Sequence, residues 1–366
     1  MTTSDFLPKP YVNLPENGSI TCQSPSNIAL VKYWGKYGEQ MPQNASVSFT
    51  LSNCRTETTL TYTKKENNGS YAFEVYLDGN REVGFEPKIK KFFDRIVQYV
   101  PFIRAYSFKI DTKNTFPHSS GIASSASGMS ALAVCLVAIE SQLLGATNLS
   151  TAEETKNSTT QKASFLARLG SGSAARSLEG PLVVWGEHPN IKGSSNLFGV
   201  KYEGEVHENF RNYQDTILLV DKGEKQVSST VGHDLMNDNP YAEARFKEAN
   251  DNLLKLTTVF KNGNVDTFIK LVESEALQLH GMMMASKPYF ILMKPNTLEI
   301  INRIWAYRNE TESKVCFTLD AGANVHVLYP ENEKTVIQEF IKNELSSYCK
   351  NGEYIHDVCG LGASIL

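Results

Sequence analysis

Residues 116–145, FPHSSGIASSASGMSALAVCLVAIESQLLG, set a turn of glycine and serine directly against a run that is apolar on nearly every side of a helix. A helix without a polar stripe has no face to offer water, so other layers must enclose it. Its longest apolar stretch, around 129–139, falls short of the roughly 20 residues a bilayer crossing needs, so the run reads as a core helix. At 366 residues the chain also exceeds what one hydrophobic core usually serves. Two closely packed domains with a cleft between them are the expectation.

The rest of the chain can supply the enclosing layers. SVSFTLSNCRTETTLTYT (46–63) alternates polar with β-branched or apolar residues, as half-buried strands do, and follows the short apolar run inside TCQSPSNIALVKYWGKYG. NNGSYAFEVYLDGNREVGF reads as a hairpin or meander turning at Asn68-Gly69 and Asp78-Gly79, PKIKKFFDRIVQYV as a helix and YSFKIDTKN as a strand. Beyond the long helix, STAEETKNSTTQKASFLARLG is a second helix, acidic near its start and ended by glycine; it runs into GSGSAARSLEG, another Gly/Ser turn opening a short helix.

At about Asp215 the pattern restarts with the strand TILLVDK and three helical segments between 241 and 310. A strand-turn-strand at 314–330, a closing helix from Glu331 to about Cys349 and a last strand near Ile355 complete an α+β plan, with domains at 1–214 and 215–366.

With a formal net charge of -4 the chain has no global positive field for nucleic acid or an anionic membrane, so any phosphate must be met locally. Six cysteines without a C-x-x-C pair, several inside apolar runs, point to reduced thiols and a cytoplasmic protein. The N-terminus carries no basic-then-apolar signal pattern. Seven histidines form no H-E-x-x-H or other close ligand cluster, so no zinc site is expected, and Met282, Met283 and Met284 read as core filling.

Three segments could hold anions. In 117–128, Ser119, Ser120, Ser124, Ser125 and Ser127 crowd around Gly121 at a helix start, where orphan N–H groups and the dipole attract phosphate; a serine-rich cap on a core helix is the alternative. The string is neither G-x-x-x-x-G-K-[ST] nor G-x-G-x-x-G. In 170–176, Ser171, Gly172 and Ser173 precede Arg176, whose planar fork can grip a phosphate or carboxylate, or else stand on the surface. In 27–36, Tyr33 and Trp34 lie between Lys32 and Lys36, a site or a strand edge. Asp320 follows the apolar strand VCFTL, where it could cap a turn or, in a cleft, take a proton from a hydroxyl; spacing alone favours the cap.

Taken together and in order, NIALVKYWGK (27–36), PHSSGIASSASG (117–128), ARLGSGSAARSLEG (167–180) and FTLDAGANVHVL (317–328) resemble the signatures of the GHMP kinase superfamily, and within it of the mevalonate diphosphate decarboxylases. The resemblance implies a two-domain GHMP kinase fold with the active site in the cleft, and a homodimer. It implies that Ser119, Ser120, Gly121, Ser124, Ser125 and Ser127 hold the phosphates of ATP, with Mg2+. It makes Asp320 the base near the substrate 3-hydroxyl and Lys32 the lysine beside it. Arg176, Ser171, Ser173, Tyr33 and Lys36 match positions lining the substrate pocket, and Ser229 matches a serine near the substrate phosphates.

The activity so implied is ATP-dependent decarboxylation of mevalonate 5-diphosphate. A mevalonate 5-phosphate decarboxylase, a mevalonate 3-kinase and a non-catalytic metabolite-binding relative are the alternatives. Two positions depart from the family pattern: His118-Ser119-Ser120 stands where Thr-Ala or similar small residues are usual, and His233 where a Met usually follows S-S-T-x-G.

Overall fold

The computed structural model describes residues 1–366 apart from 67–68, 118–121, 146–152 and 222–228, and apart from the side chains of 153–156 and 229–230. The chain opens with β1 (Asn17–Val31), passes through a small ribbon of β2 (Lys36–Tyr37) and β3 (Met41–Pro42), and returns along β4 (Ser46–Lys64). The antiparallel register runs from Asn17 opposite Thr63 to Val31 opposite Val47 and slips between Pro25 and Asn27. Proline has no N–H for the ladder, so an irregularity at that point is what the residue dictates. The alternation read in 46–63 is thus one 19-residue strand.

β5 (Ala72–Leu77) and β6 (Asn80–Arg81) turn at Asp78 and Gly79, whose φ of 51° and 80° suit the mirror-image turn of a tight hairpin. α1 (Glu86–Ile96) carries the chain over to β7 (Tyr106–Asn114), which lies parallel to β5. α2 (Ser124–Leu143) and α3 (Glu153–Gly170) follow, then a 3-10 turn Gly172–Ser177, β8 (Leu182–Trp185) and β9 (Val200–Lys201). The first sheet runs β1-β4-β7-β5-β6, with β8 on the other half of β4 and β9 on β8.

α2 is long and apolar enough to cross a membrane, but 78% of that span is buried inside the protein. Small residues such as Ala126, Ser130 and Ala133 let it lie close to β1 and β4, where Ser130 meets Ser24 and the Cys135 thiol donates to the Thr58 carbonyl at 3.4 Å. Its one buried charge, Glu140, is matched by Lys162 of α3 at 2.6 Å and by the Tyr11 hydroxyl at 3.3 Å.

β10 (Gln214–Leu218) begins the second sheet, followed by α4 (Ser229–Asp234), α5 (Ala242–Asn262), α6 (Val265–Met284), α7 (Pro295–Thr311), β11 (Cys316–Leu319), β12 (Val325–Tyr329), α8 (Lys334–Phe340), β13 (Tyr354–Val358) and β14 (Ser364–Ile365). The sheet order is β11-β12-β10-β13, antiparallel throughout. Gly263, with φ of 75°, ends α5, and Asn264 starts α6 by accepting the Thr267 N–H at 2.9 Å.

Three sequence expectations need correction. The closing helix is not continuous: a 3-10 turn, α8, a π turn at Ile341–Leu345 and a further 3-10 turn at Ser346–Tyr348 succeed one another, the widened turn letting Phe340, Ile341 and Leu345 all reach the core. A line between 214 and 215 cuts one residue into β10, and the tail crosses it again: Gly360 donates to Thr50, and β14 pairs with β1 at Cys22 and Gln23. Of the three methionines, Met283 is core while Met284 is 45% exposed.

Candidate active site

One cavity of about 670 Å³ opens where the two sheets meet, within the size range of small-molecule sites. Its wall includes Lys32, Tyr33, Trp34 and Lys36 from the chain leaving β1, Ser124 and Ser125 from the start of α2, Ser171 to Ser173 and Arg176 from the turn after α3, and Asp320 from the end of β11. Four segments far apart in sequence converge because β1, α2 and β11 all end at this cleft.

Asp320 sits one residue past β11, and the turn after it is closed by backbone: Gly322 N–H donates to the Asp320 carbonyl at 2.7 Å. The carboxylate is turned to Lys32, with Nζ to Oδ1 at 3.2 Å. That contact decides between cap and cleft. Asp320 is 29% exposed and Lys32 2%, so the carboxylate faces the cavity while the ammonium lies behind it. Burial pulls the Lys32 ammonium below its usual range, Asp320 acts against that shift, and Arg176 adds to it.

α6 holds both partners from behind. Glu275 accepts the Lys32 backbone N–H at 2.8 Å, Arg245 Nη1 at 3.0 Å and Asn252 Nδ2 at 2.8 Å. Five residues on, His280 Nε2 donates to the Asp320 carbonyl at 3.1 Å, and burial pulls this imidazole down to about 4, which keeps it neutral. Sequence reasoning missed Glu275, Arg245 and His280. The available signal was a carboxylate at 275 on the same helical stripe as Leu271, Val272, Ala276 and Leu279, where a charge must have a partner.

Arg176 is 3% exposed, so the surface reading of this residue fails. Its Nη1 donates to Ser46 Oγ at 2.6 Å, its Nε to Asn27 Oδ1 at 3.4 Å, and its guanidinium stands 5.9 Å from both the Tyr33 and Trp185 ring centres. Burial lowers it to about 10, still charged at neutral pH. Gly172 is needed here, since a Cβ at that position would come within 2.5 Å of Tyr33 Oη. The Tyr33 hydroxyl is buried and has no partner among the described residues, a donor left for whatever enters.

The other half of the cavity has apolar walls, including Val75, Leu77, Phe85 and Ile110, and leads to the N-terminus of α2, where Lys88 Nζ meets Ser125 Oγ at 3.0 Å. Lys88 was also missed, as one lysine among several on α1. Ser124 and Ser125 line the cavity; Ser127 does not, because its hydroxyl turns inward to Thr56 Oγ1 at 2.6 Å. Ser119, Ser120, Gly121 and His118 lie outside the described residues, as does the side chain of Ser229, whose backbone begins α4. A flat apolar slot leading to a helix start with a lysine beside it fits a nucleotide with its phosphates on α2.

Two family models match the chain: a diphosphomevalonate decarboxylase-like N-terminal domain over residues 24–196 and a mevalonate 5-diphosphate decarboxylase C-terminal domain over 216–359. The chain belongs to the diphosphomevalonate decarboxylase family. Among curated relatives, the diphosphomevalonate decarboxylase of Ganoderma lucidum is 28% identical over 93% of this chain and 84% of its own length. A crystal structure of mevalonate diphosphate decarboxylase from Staphylococcus aureus matches with a TM-score of 0.79 at 25% identity, covering 96% of this chain and 98% of that one. A structure of MDDEF in complex with MVAPP, AMPPCP and magnesium matches with a TM-score of 0.78 at 28% identity, over 96% and 99% of the two chains. The two-domain GHMP-type fold holds over nearly the whole chain.

Proposed function

We propose that the chain uses ATP to convert mevalonate 5-diphosphate to isopentenyl diphosphate, ADP, phosphate and carbon dioxide, by way of phosphorylation of the 3-hydroxyl. The observation that carries this reading is the Lys32–Asp320 pair, which shares one cavity with Arg176 on one side and the serine-bearing start of α2 on the other. Asp320 is placed to take the hydroxyl proton as that oxygen attacks the terminal phosphate of ATP. The new C–O–phosphate bond then breaks with its electron pair going to phosphate. The C–COO⁻ bond supplies the pair that forms the alkene, and carbon dioxide departs. Lys32 and Arg176 offset negative charge on a substrate that carries a carboxylate and phosphates together.

Mg2+ binds through few protein groups and mostly through phosphate oxygens and water, and the hydroxyls of Ser124 and Ser125 beside a phosphate-holding helix start fit that donor set. When bound, it neutralises charge on the transferring phosphate. Support for ATP and Mg2+ comes from the matching structure that holds MVAPP, AMPPCP and magnesium. The protein is further proposed to work as a homodimer in the cytoplasm. The free state of all six cysteines supports a reducing compartment, and the family resemblance supports the dimer.

The test is to incubate the protein with ATP, Mg2+ and either mevalonate 5-diphosphate or 5-phosphate and to measure ADP and carbon dioxide separately. Equal yields of both from the diphosphate are expected; ADP without carbon dioxide would make the protein a kinase, and neither product a binder. Arg176→Lys should lower kcat/KM for the phosphorylated substrate about ten- to hundredfold, because the single ammonium loses the planar fork that holds two oxygens, a loss of roughly 1.5–3 kcal/mol. The KM for ATP should stay near wild type, and a defect confined to ATP would show that Arg176 serves the nucleotide.

A pH profile probes Lys36. Burial pulls its ammonium down to about 8, against the pull of Asp234. The proton that makes it an anion partner is therefore lost as pH rises through about 8, and kcat/KM for the phosphorylated substrate, which reports the free enzyme, should fall across that interval. Lys36→Met should flatten that limb. A limb that persists unchanged in the variant assigns it to another group.

A further inference from the structure

His233 is 5% exposed, lines the cavity, and stacks on Tyr33 with ring centres 4.3 Å apart while tilting against Trp34 at 4.4 Å. Its Nδ1 accepts the Gly35 backbone N–H at 3.0 Å. A neutral imidazole carries one proton, so with Nδ1 as acceptor the proton must be on Nε2; an imidazolium would set an N–H against the Gly35 N–H. Burial, with Lys36 and Arg176 nearby, holds the ring neutral by a second route. Among the described residues no group bonds to Nε2. The ring is thus fixed in position by two aromatics, fixed in tautomer by Gly35, and left with one unused donor at the cavity wall.

Its place along the cavity gives that donor a task. Lys32, beside Asp320, marks the hydroxyl end. The chain then proceeds through Tyr33 and Trp34 to Gly35, where φ of 109° turns it, and on to Lys36. His233 stands on Tyr33 and Trp34 and is tied to Gly35, on the Lys36 side of Tyr33, and of the two cations that act on it Lys36 acts more strongly than Arg176.

We propose that His233 is a specificity-determining residue whose Nε2–H donates to an oxygen of the substrate's terminal phosphate, favouring a diphosphate over a monophosphate. The inference rests on the reading of this cavity as the site of a phosphorylated hydroxy acid. A neutral donor suits this place: Lys36 and Arg176 supply the positive charge, and His233 adds direction at the far end of the tail.

The test compares His233→Met, which keeps apolar bulk and has no donor, with His233→Gln, whose amide nitrogen can replace Nε2. Measured are kcat and KM for mevalonate 5-diphosphate, for mevalonate 5-phosphate and for ATP. H233M should raise KM for the diphosphate roughly ten- to hundredfold, the span of a hydrogen bond to a charged group, while kcat, the KM for ATP and the KM for the monophosphate hold; H233Q should recover most of the loss. Equal losses on both substrates, a loss in kcat alone, or H233Q no better than H233M would overturn the proposal, since repacking of the aromatics would produce those. Calorimetric titration with inorganic pyrophosphate reads the same contact without turnover: weaker binding to H233M than to wild type supports the donor, and equal binding overturns it. A wild-type protein that binds pyrophosphate but releases no carbon dioxide would defeat the reaction assigned above and leave the pyrophosphate comparison to judge His233.

Discussion

Asp320→Asn should leave a folded protein that binds ATP normally and turns over about a hundred- to ten-thousand-fold more slowly. The amide keeps the size of the side chain and an oxygen for Lys32 Nζ, so the 3.2 Å contact has a neutral replacement, yet it cannot accept the hydroxyl proton. The change also removes the carboxylate that works most strongly against the burial of Lys32, leaving that ammonium beside Arg176 with Glu275 as the weaker counter-charge. Both effects act on the same step, so ADP and carbon dioxide should fall together. Because Asp320 is partly solvated, the thermal midpoint should move little. Near-normal turnover would remove Asp320 as the base. ADP formation that survives while carbon dioxide is lost would place its role after phosphorylation.

Arg245→Leu should cost about 3–5 kcal/mol of stability, the usual consequence of leaving one member of a buried ion pair behind. The Arg245 and Glu275 side chains are 3% and 0% exposed and joined through both terminal guanidinium nitrogens, Nη1 and Nη2. Without Arg245, Glu275 keeps among the described residues the Lys32 N–H and Asn252 Nδ2 as hydrogen-bond donors, both neutral, and the Lys32 ammonium acts on it more weakly than it does on Asp320. The same carboxylate anchors the backbone of Lys32, so turnover should fall even at temperatures where the variant is folded. Urea denaturation measures the first effect and steady-state kinetics the second. Arg245→Leu/Glu275→Gln should regain part of the stability, since an amide there leaves no bare charge. A single variant within about 1 kcal/mol of wild type would mean that water or another group reaches Glu275, and the pair would not be the support described.

The elements most legible beforehand were those whose pattern is local. Continuous apolarity over 124–143 can only be a helix wrapped on all sides, and α2 is that helix. Alternation over 46–63 can only be a half-buried strand, and β4 is that strand. Four ordered strings pointed to the residues that now share one cavity.

Within those strings, orientation was not legible. Ser125 and Ser127 are equivalent as letters, but two helical steps turn the side chain by about 200°, so one lines the cavity and the other is buried against Thr56 of β4. Arg176 read as an anion grip with a surface position as the alternative, and the surface position fell away once the fold closed Asn27, Ser46, Tyr33 and Trp185 around it.

The sequence by itself determined the α+β composition, the enclosed helix and the family to which the chain belongs, because hydrophobic period and motif order are properties of neighbours along the chain. Only the tertiary structure decided that Asp320 faces Lys32 instead of capping its own turn, that Glu275 and His280 hold that pair from behind, that the tail returns to β1 and that His233 Nε2 has no partner among the described residues. Each of these joins groups tens to hundreds of residues apart. Their free energy comes from burial and partner geometry, which no window of sequence contains.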